Sequence, residues 1–211
     1  MNVSSGALTL HDDNDLILGT VTSDTTTIEV DGSIAQASGS SVTAGDTVIT
    51  TTEEGSTVTL SEDVTITGGL DLSTENGVIA QTGGSVIVTG QTDVDSGAAL
   101  VDLASVTNDF DGSVNVNSGA LTLHDDNDLL LGTINSDATT IEVDGSITQA
   151  TGSSVTTAGD TAIETTEEGS SITLSENVTV TGELDLTTQN GEVNQTGGSV
   201  IVSGATNVAT E

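Results

Sequence analysis

The chain states nearly the same sentence twice. Asn2 to Val94 reads NVSSGALTLHDDNDLILGTVTSDTTTIEVDGSIAQ and onward to QTGGSVIVTGQTDV. Asn115 to Val208 reads NVNSGALTLHDDNDLLLGTINSDATTIEVDGSITQ and onward to QTGGSVIVSGATNV. The copies are in step from Asn2 to Asn115 until one residue is inserted near Thr157. A tandem repeat this close constrains architecture before any local pattern does, because each unit packs on its neighbour as on a copy of itself. Residues 2–114 form one repeat and 115–211 an incomplete second, and together they are expected to make one continuous rod. The second copy stops short of a full period, which reads as a segment of a longer array. Arrays span distance or present surface.

Within each copy the dominant pattern is short alternation of apolar and polar residues. Residues 7–10, 27–30, 57–60 and 64–67 alternate, and Leu70-Asp71-Leu72 and Val86-Ile87-Val88 continue the theme. Period-two runs rich in β-branched residues are half-buried strands. Turn dipeptides bound them at Asp31-Gly32, Asn76-Gly77, Gly83-Gly84 and Ser5-Gly6. No helical periodicity of useful length is present, so the chain is all β. Two architectures fit: tandem immunoglobulin-like sandwiches, or a right-handed parallel β-helix (β-solenoid) with coils of about 20 residues. Three features favour the solenoid. The strands are very short. Aromatic residues are almost absent, whereas sandwich cores lean on them. Ile34-Ala35-Gln36 is echoed by Ile79-Ala80-Gln81, a shift that fits two coils.

Comparing the copies separates inside from outside. Ile17 becomes Leu130, Val21 becomes Ile134, Val58 becomes Ile172 and Ile66 becomes Val180. Such swaps keep apolar character and most of the volume, as packed positions require. Thr50 becomes Glu164, Gly69 becomes Glu183 and Glu75 becomes Gln189, which marks positions that face water. Where Val78-Ile79-Ala80 becomes Glu192-Val193-Asn194, one side of the strand tolerates charge.

Charge removes whole classes of function. Asp plus Glu number 33 and Lys plus Arg none, for a formal net charge of −33. No basic side chain exists to neutralise phosphate, which excludes nucleic-acid binding by counterion release and attraction to anionic membranes. No apolar run is long enough to span a bilayer, so membrane insertion is not expected. High acidity without aromatics often accompanies disorder. Here the regular alternation and the 33% hydrophobic content point instead to a folded chain. Cys is absent, so thiol chemistry is impossible.

Asn-Asp-Phe-Asp-Gly-Ser-Val at 108–114 runs into Asn-Val-Asn-Ser-Gly-Ala-Leu-Thr-Leu at 115–123. The acidic turn His124-Asp125-Asp126-Asn127-Asp128 follows, then Leu129-Leu130-Leu131-Gly132-Thr133-Ile134. The Gly-x-Ile-x-Gln segment appears as Gly32-Ser33-Ile34-Ala35-Gln36 and Gly145-Ser146-Ile147-Thr148-Gln149. This succession resembles the repeat arrays of filamentous-haemagglutinin-like exoproteins and related bacterial surface adhesins, over nearly the whole chain. The resemblance implies a right-handed parallel β-helix on a secreted or surface-anchored fibre. The complete absence of Lys and Arg departs from that pattern.

The densest polar cluster is His11-Asp12-Asp13-Asn14-Asp15, repeated as His124-Asp125-Asp126-Asn127-Asp128. Asp12, Asp13, Asp15, Asp125, Asp126 and Asp128 offer hard oxygen ligands suited to calcium. The same residues also build turns by bonding their own backbone. EF-hand spacing fails, because Leu16 and Ile17 occupy positions that need Asp, Asn or Gly. The acidic pairs Glu53-Glu54, Glu167-Glu168, Glu62-Asp63 and Asp93-x-Asp95 could be read as glycosidase carboxylates. Yet no Lys, Arg, Tyr or Trp is present to hold a sugar, so these pairs read as solvated surface and no catalytic residue is assigned. Thr59, Thr65 and Thr67 raise an ice-binding reading, which strict Thr recurrence on every coil would have to support. Phe110, the single aromatic, is expected either to plug the interior at the repeat junction or to stand exposed as an anchor.

The sequence thus points to a structural, non-enzymatic stalk segment of a secreted or cell-surface fibre. No cofactor is required, calcium is the one candidate ion, and the partners are copies of itself or neighbouring repeats end to end. A calcium-binding adhesin module is the alternative.

Overall fold

The computed structural model describes residues 2–210, and among them there is no helix. All strands join one sheet, and the pairings are parallel throughout, from Val3↔Val21 in the first coil to Leu184↔Thr206 in the last. The chain winds as a β-solenoid of about nine turns. At ~4.8 Å per coil, this is a rod of ~43 Å. Antiparallel sandwich domains are excluded by this pairing.

Each coil has three faces. On the first face residues 3–5, 21–23, 42–44, 64–66, 86–88 and 109–110 stack in turn. On the second, 7–12 is followed by 25–30, 46–51, 70–74, 92–95 and 114–117. On the third, 16–18 is followed by 34–36, 58–60, 79–81, 101–103 and 121–123. The echoed Ile34–Gln36 and Ile79–Gln81 lie on this third face, two coils apart.

Alternation sends every second side chain inward, and the parallel register stacks like on like. Ile28, Ile49, Leu72, Val94, Val116 and Ile134 form one internal column. It continues through Val155, Val178 and Val200. The column crosses from one copy into the next without interruption, so the two repeats share a single core. Phe110 is fully buried in it at the junction, which removes the reading of an exposed anchor. The narrow interior explains why Val, Ile and Leu dominate.

The structure differs from the sequence expectation at two places. The Ile17/Leu130 exchange predicts a packed position, but Ile17 is 65% exposed. Leu16, Ile17 and Leu18 are consecutive, and a period-two strand can bury only the outer two. The Ser5-Gly6 dipeptide predicts a turn, but the strand Val3–Asp12 runs through it. The corner there is a bend within the strand, with Ser5 and Ala7 both paired to the next coil. The inserted residue falls at the corner between Ser154–Thr157 and Thr161–Thr165, where a change of length disturbs no ladder.

Several corners are closed by glycine on glycine. A Cβ on Gly90 would lie 2.5 Å from the carbonyl oxygen of Gly68, and one on Gly112 would collide with Gly90. Gly159, Gly182 and Gly204 repeat the column in the second copy. These residues are needed because adjacent coils bring backbone against backbone. Gly90→Ala should destabilise the rod by roughly 2–3 kcal/mol. Gly6→Ala, whose added Cβ meets nothing closer than 3.5 Å, should be nearly silent. Urea denaturation of both variants measures the contrast; equal effects would contradict the packing argument.

Candidate functional site

The two acidic turns occupy different environments despite identical sequence. In the first copy His11 is 54% exposed, with Nδ1 3.4 Å from Asp13 and Nε2 3.6 Å from Glu29. In the second copy His124 is only 6% exposed, with Nε2 3.7 Å from Glu142 and 3.8 Å from Asp144. The difference comes from the preceding coil, since residues 101–103 stack beneath 121–123. Asp125 is fully buried, and its Oδ1 accepts a hydrogen bond from the Phe110 amide at 3.1 Å.

The six carboxylates named from sequence do not form one site. Asp12, Asp13 and Asp15 lie in the first coil, and Asp125, Asp126 and Asp128 lie several coils away. Four of the six accept backbone hydrogen bonds. Asp12 takes Asn14 N–H at 3.1 Å and Asp125 takes that of Phe110. Asp15 takes Ser33 N–H at 2.8 Å and Asp128 takes Ser146 N–H at 2.7 Å, each from the next coil. Among the described residues no three His, Asp or Glu side chains are placed to hold a metal ion.

The same device recurs along the rod. Asp46 accepts from Gly69 N–H, and its counterpart Asp160 from Glu183 N–H, both at 2.9 Å. Glu62 reaches Gly39 N–H and Glu176 reaches Gly152 N–H. Asp63 accepts from Ser85 N–H at 3.0 Å, and in the second copy Asn177 does this for Ser199 at 3.1 Å. An amide oxygen therefore substitutes for a carboxylate at this task. Gln36 of the Gly-x-Ile-x-Gln segment accepts from Ser61 and Glu62 N–H of the next coil, and Gln149 likewise accepts from Glu176 N–H. Glu53 and Glu167 sit in loops whose own amides donate to Asp31 and Asp144 carbonyls.

One groove of about 470 Å³ was not anticipated as a unit. Asp71, Asp93 and Asp95 line it with Gln91, Asn115 and Asn117. Asp71 pairs with Asp93, which pairs with Asn115. Burial, and then the charges of Asp93 and Asp95, hold the Asp71 carboxyl above the usual carboxylate range. Asn115 and Asn117 donate to Asp93 and Asp95 at 2.9 and 2.8 Å. In sequence Asp71 is only the polar member of Leu-Asp-Leu. Its neighbours are about one coil away along the chain, and only the stacking register could have found them.

A profile for a family described as Repeats of unknown function (DUF5649) matches residues 5–64, 62–117, 118–178 and 175–211. The matches divide each long repeat into two family units. No curated protein and no solved structure matches the chain.

Asp125 supplies a pH readout. Burial dominates and pushes its carboxyl up to about 7, Asp109 and Asp126 add to the rise, and the amides of Phe110 and Asp126 oppose it. The folded state therefore holds a proton that the unfolded chain releases near the ordinary carboxylate value of 3.8. This group's contribution is complete below that value, declines as pH rises, and is lost once pH passes about 7. Asp125→Asn should flatten that component of the stability profile between pH 4 and about 7. Denaturation midpoints across this range check it; identical slopes in both proteins would refute the assignment.

Proposed function

We propose that this chain, which belongs to the DUF5649 family of repeats, is a non-enzymatic stalk segment of a secreted or cell-surface fibre. The observation that carries the reading is the internal column that runs through both copies, so that adding repeats lengthens the rod without creating a new domain boundary. The recurrent acidic groups support it as well, because they are engaged in joining coils rather than grouped at one reaction centre. The acidic coat keeps such rods soluble and mutually repelling. Without Lys or Arg the chain also offers trypsin no cleavage site, which suits exposure outside a cell.

On this reading the partners are copies of the chain or neighbouring repeats, met end to end. The strands Val193–Gln195, Val200–Val202 and Thr206–Thr210 pair with one neighbouring coil each among the described residues. Val193, Val200 and Val202 are only partly buried there. On the stalk reading, these are the strands that a neighbouring repeat or copy would meet. Unpaired strand edges are natural sites for such addition.

The length of an extended array tests the stalk reading. Each further 113-residue repeat, counted as from Asn2 to Asn115, should lengthen the particle by ~26 Å at constant cross-section. Small-angle scattering or electron microscopy of two-, three- and four-repeat chains measures this. Globular beads joined by flexible connections would overturn it.

Calcium binding at Asp12, Asp13, Asp15, Asp125, Asp126 and Asp128 is the alternative, favoured only by the repeated density of oxygen ligands. On the stalk reading, salt raises the melting temperature by screening, since the Debye length falls from about 8 Å at 0.15 M to about 3 Å at 1 M. Calcium and magnesium should act alike, and more strongly than sodium. Melting curves with matched calorimetric titrations check this. Saturable calcium uptake, with one equivalent per acidic turn and no magnesium equivalent, would favour the adhesin-module reading.

A further inference from the structure

The second copy does not lie on the same faces as the first. Residues 3–5 belong to the first face, but their counterparts 116–118 lie at the second, where Val116 follows Val94. Residues 7–12 belong to the second face, and their counterparts 120–125 fall on the third, where Leu121–Leu123 follows Val101–Leu103. Residues 16–18 belong to the third face. Their counterparts 129–131 fall where the first face turns into the second: Asn127 donates to Asp109, Leu130 and Leu131 pair with Ser113 and Val114, and Leu129–Leu131 is followed by Ile147–Gln149.

The displacement persists to the end of the chain. Val86–Val88 is on the first face, whereas its counterpart Val200–Val202 stacks on Val178–Val180 in the second. Thr92–Asp95 is on the second face, and its counterpart in Thr206–Thr210 stacks on Leu184–Thr188 in the third. One sequence repeat thus contains five full coils and one additional strand. The extra element is Asp109–Phe110, after which the chain turns into Ser113–Asp125 and begins the next repeat one face onward.

We infer that an array of these repeats displays every surface motif on a threefold screw, advancing by about 120° and ~26 Å per repeat and returning to the same face after three repeats, ~77 Å. The inference rests on the stalk reading only for the existence of longer arrays; the displacement itself lies within these two copies.

The screw determines what kind of partner the lateral surface fits. Thr22, Thr43 and Thr65 form an outward ladder on the first face. The next positions on that face are Ile87 and Asp109. The ladder restarts on the second face as Asn135, Thr156 and Thr179. A flat lattice, or a second rod lying along one face, therefore meets a matching ladder for only a few coils. A partner that recognises a single turn meets that turn on all sides of the rod, at ~26 Å steps. The array is thus suited to distributed, single-motif contacts and poorly suited to continuous lateral sheet packing, including an ice face.

The absence of native Cys permits a direct test. Asp93→Cys with Asn115→Cys, and Asp102→Cys with Thr122→Cys, join positions paired across adjacent coils. Both pairs should form disulfides under mild oxidation, because neighbouring parallel strands bring Cα atoms within the range of about 4.4–6.8 Å that a disulfide needs. Asp93→Cys with Thr122→Cys should not cross-link. A repeat containing a whole number of coils would place residues 120–125 on the face of 92–95 and reverse these outcomes. Cross-linking of that third pair, with failure of the first two, overturns the inference whatever longer arrays do. If the first two form but a four-repeat chain images as separate beads, the displacement stands and the stalk reading fails.

Discussion

Parallel pairing between successive coils is the constraint on which everything else depends. It sets a spacing of ~4.8 Å along the rod, and every residue must tolerate its counterpart one coil away at that distance. Inside, the requirement yields aliphatic columns such as Ile28, Ile49 and Leu72, continued by Val94 and Val116. At corners such as Gly68, Gly90 and Gly112, backbones approach too closely for a Cβ. At the turns it leaves amide hydrogens pointing toward the coil below, and these need acceptors.

That last demand gives a physical account of acidity without bases. Asp15, Asp46, Asp63 and Asp128 serve as acceptors for amides of the following coil, a role for which a carboxylate needs no Lys or Arg partner. The Asp63-to-Asn177 exchange between copies indicates that the oxygen matters more than the charge. Charge instead acts over longer range, through repulsion between rods and sensitivity to salt. Asp125 is different. Its carboxyl is enclosed at the repeat junction beside Phe110, where burial opposes ionisation.

Much of the fold was legible in one dimension. Period-two runs located the strands, and aliphatic exchanges at Val21/Ile134, Val58/Ile172 and Ile66/Val180 identified residues that are all buried. Ile17/Leu130 misled because an aliphatic exchange reports hydrophobicity and not direction; three consecutive apolar residues cannot all point inward. The acidic turns were visible as clusters, but their hydrogen-bond partners at Ser33 and Ser146 were not, because these belong to the next coil. The Asp71–Asp93–Asn115 row was invisible for the same reason.

By itself the sequence determined that the chain is an all-β repeat with an aliphatic interior and no capacity for counter-ion pairing through Lys or Arg, since periodicity and composition are local properties of the chain. Only the tertiary structure decided the phase of that repeat. Whether a period of about 113 residues closes on a whole number of coils depends on how many residues each turn consumes. The spacing is 18 residues from Asn117 to Asn135 and 22 from Asp63 to Ser85. The repeat spans five such turns and one further strand, Asp109–Phe110, so two nearly identical copies of one sequence face different directions.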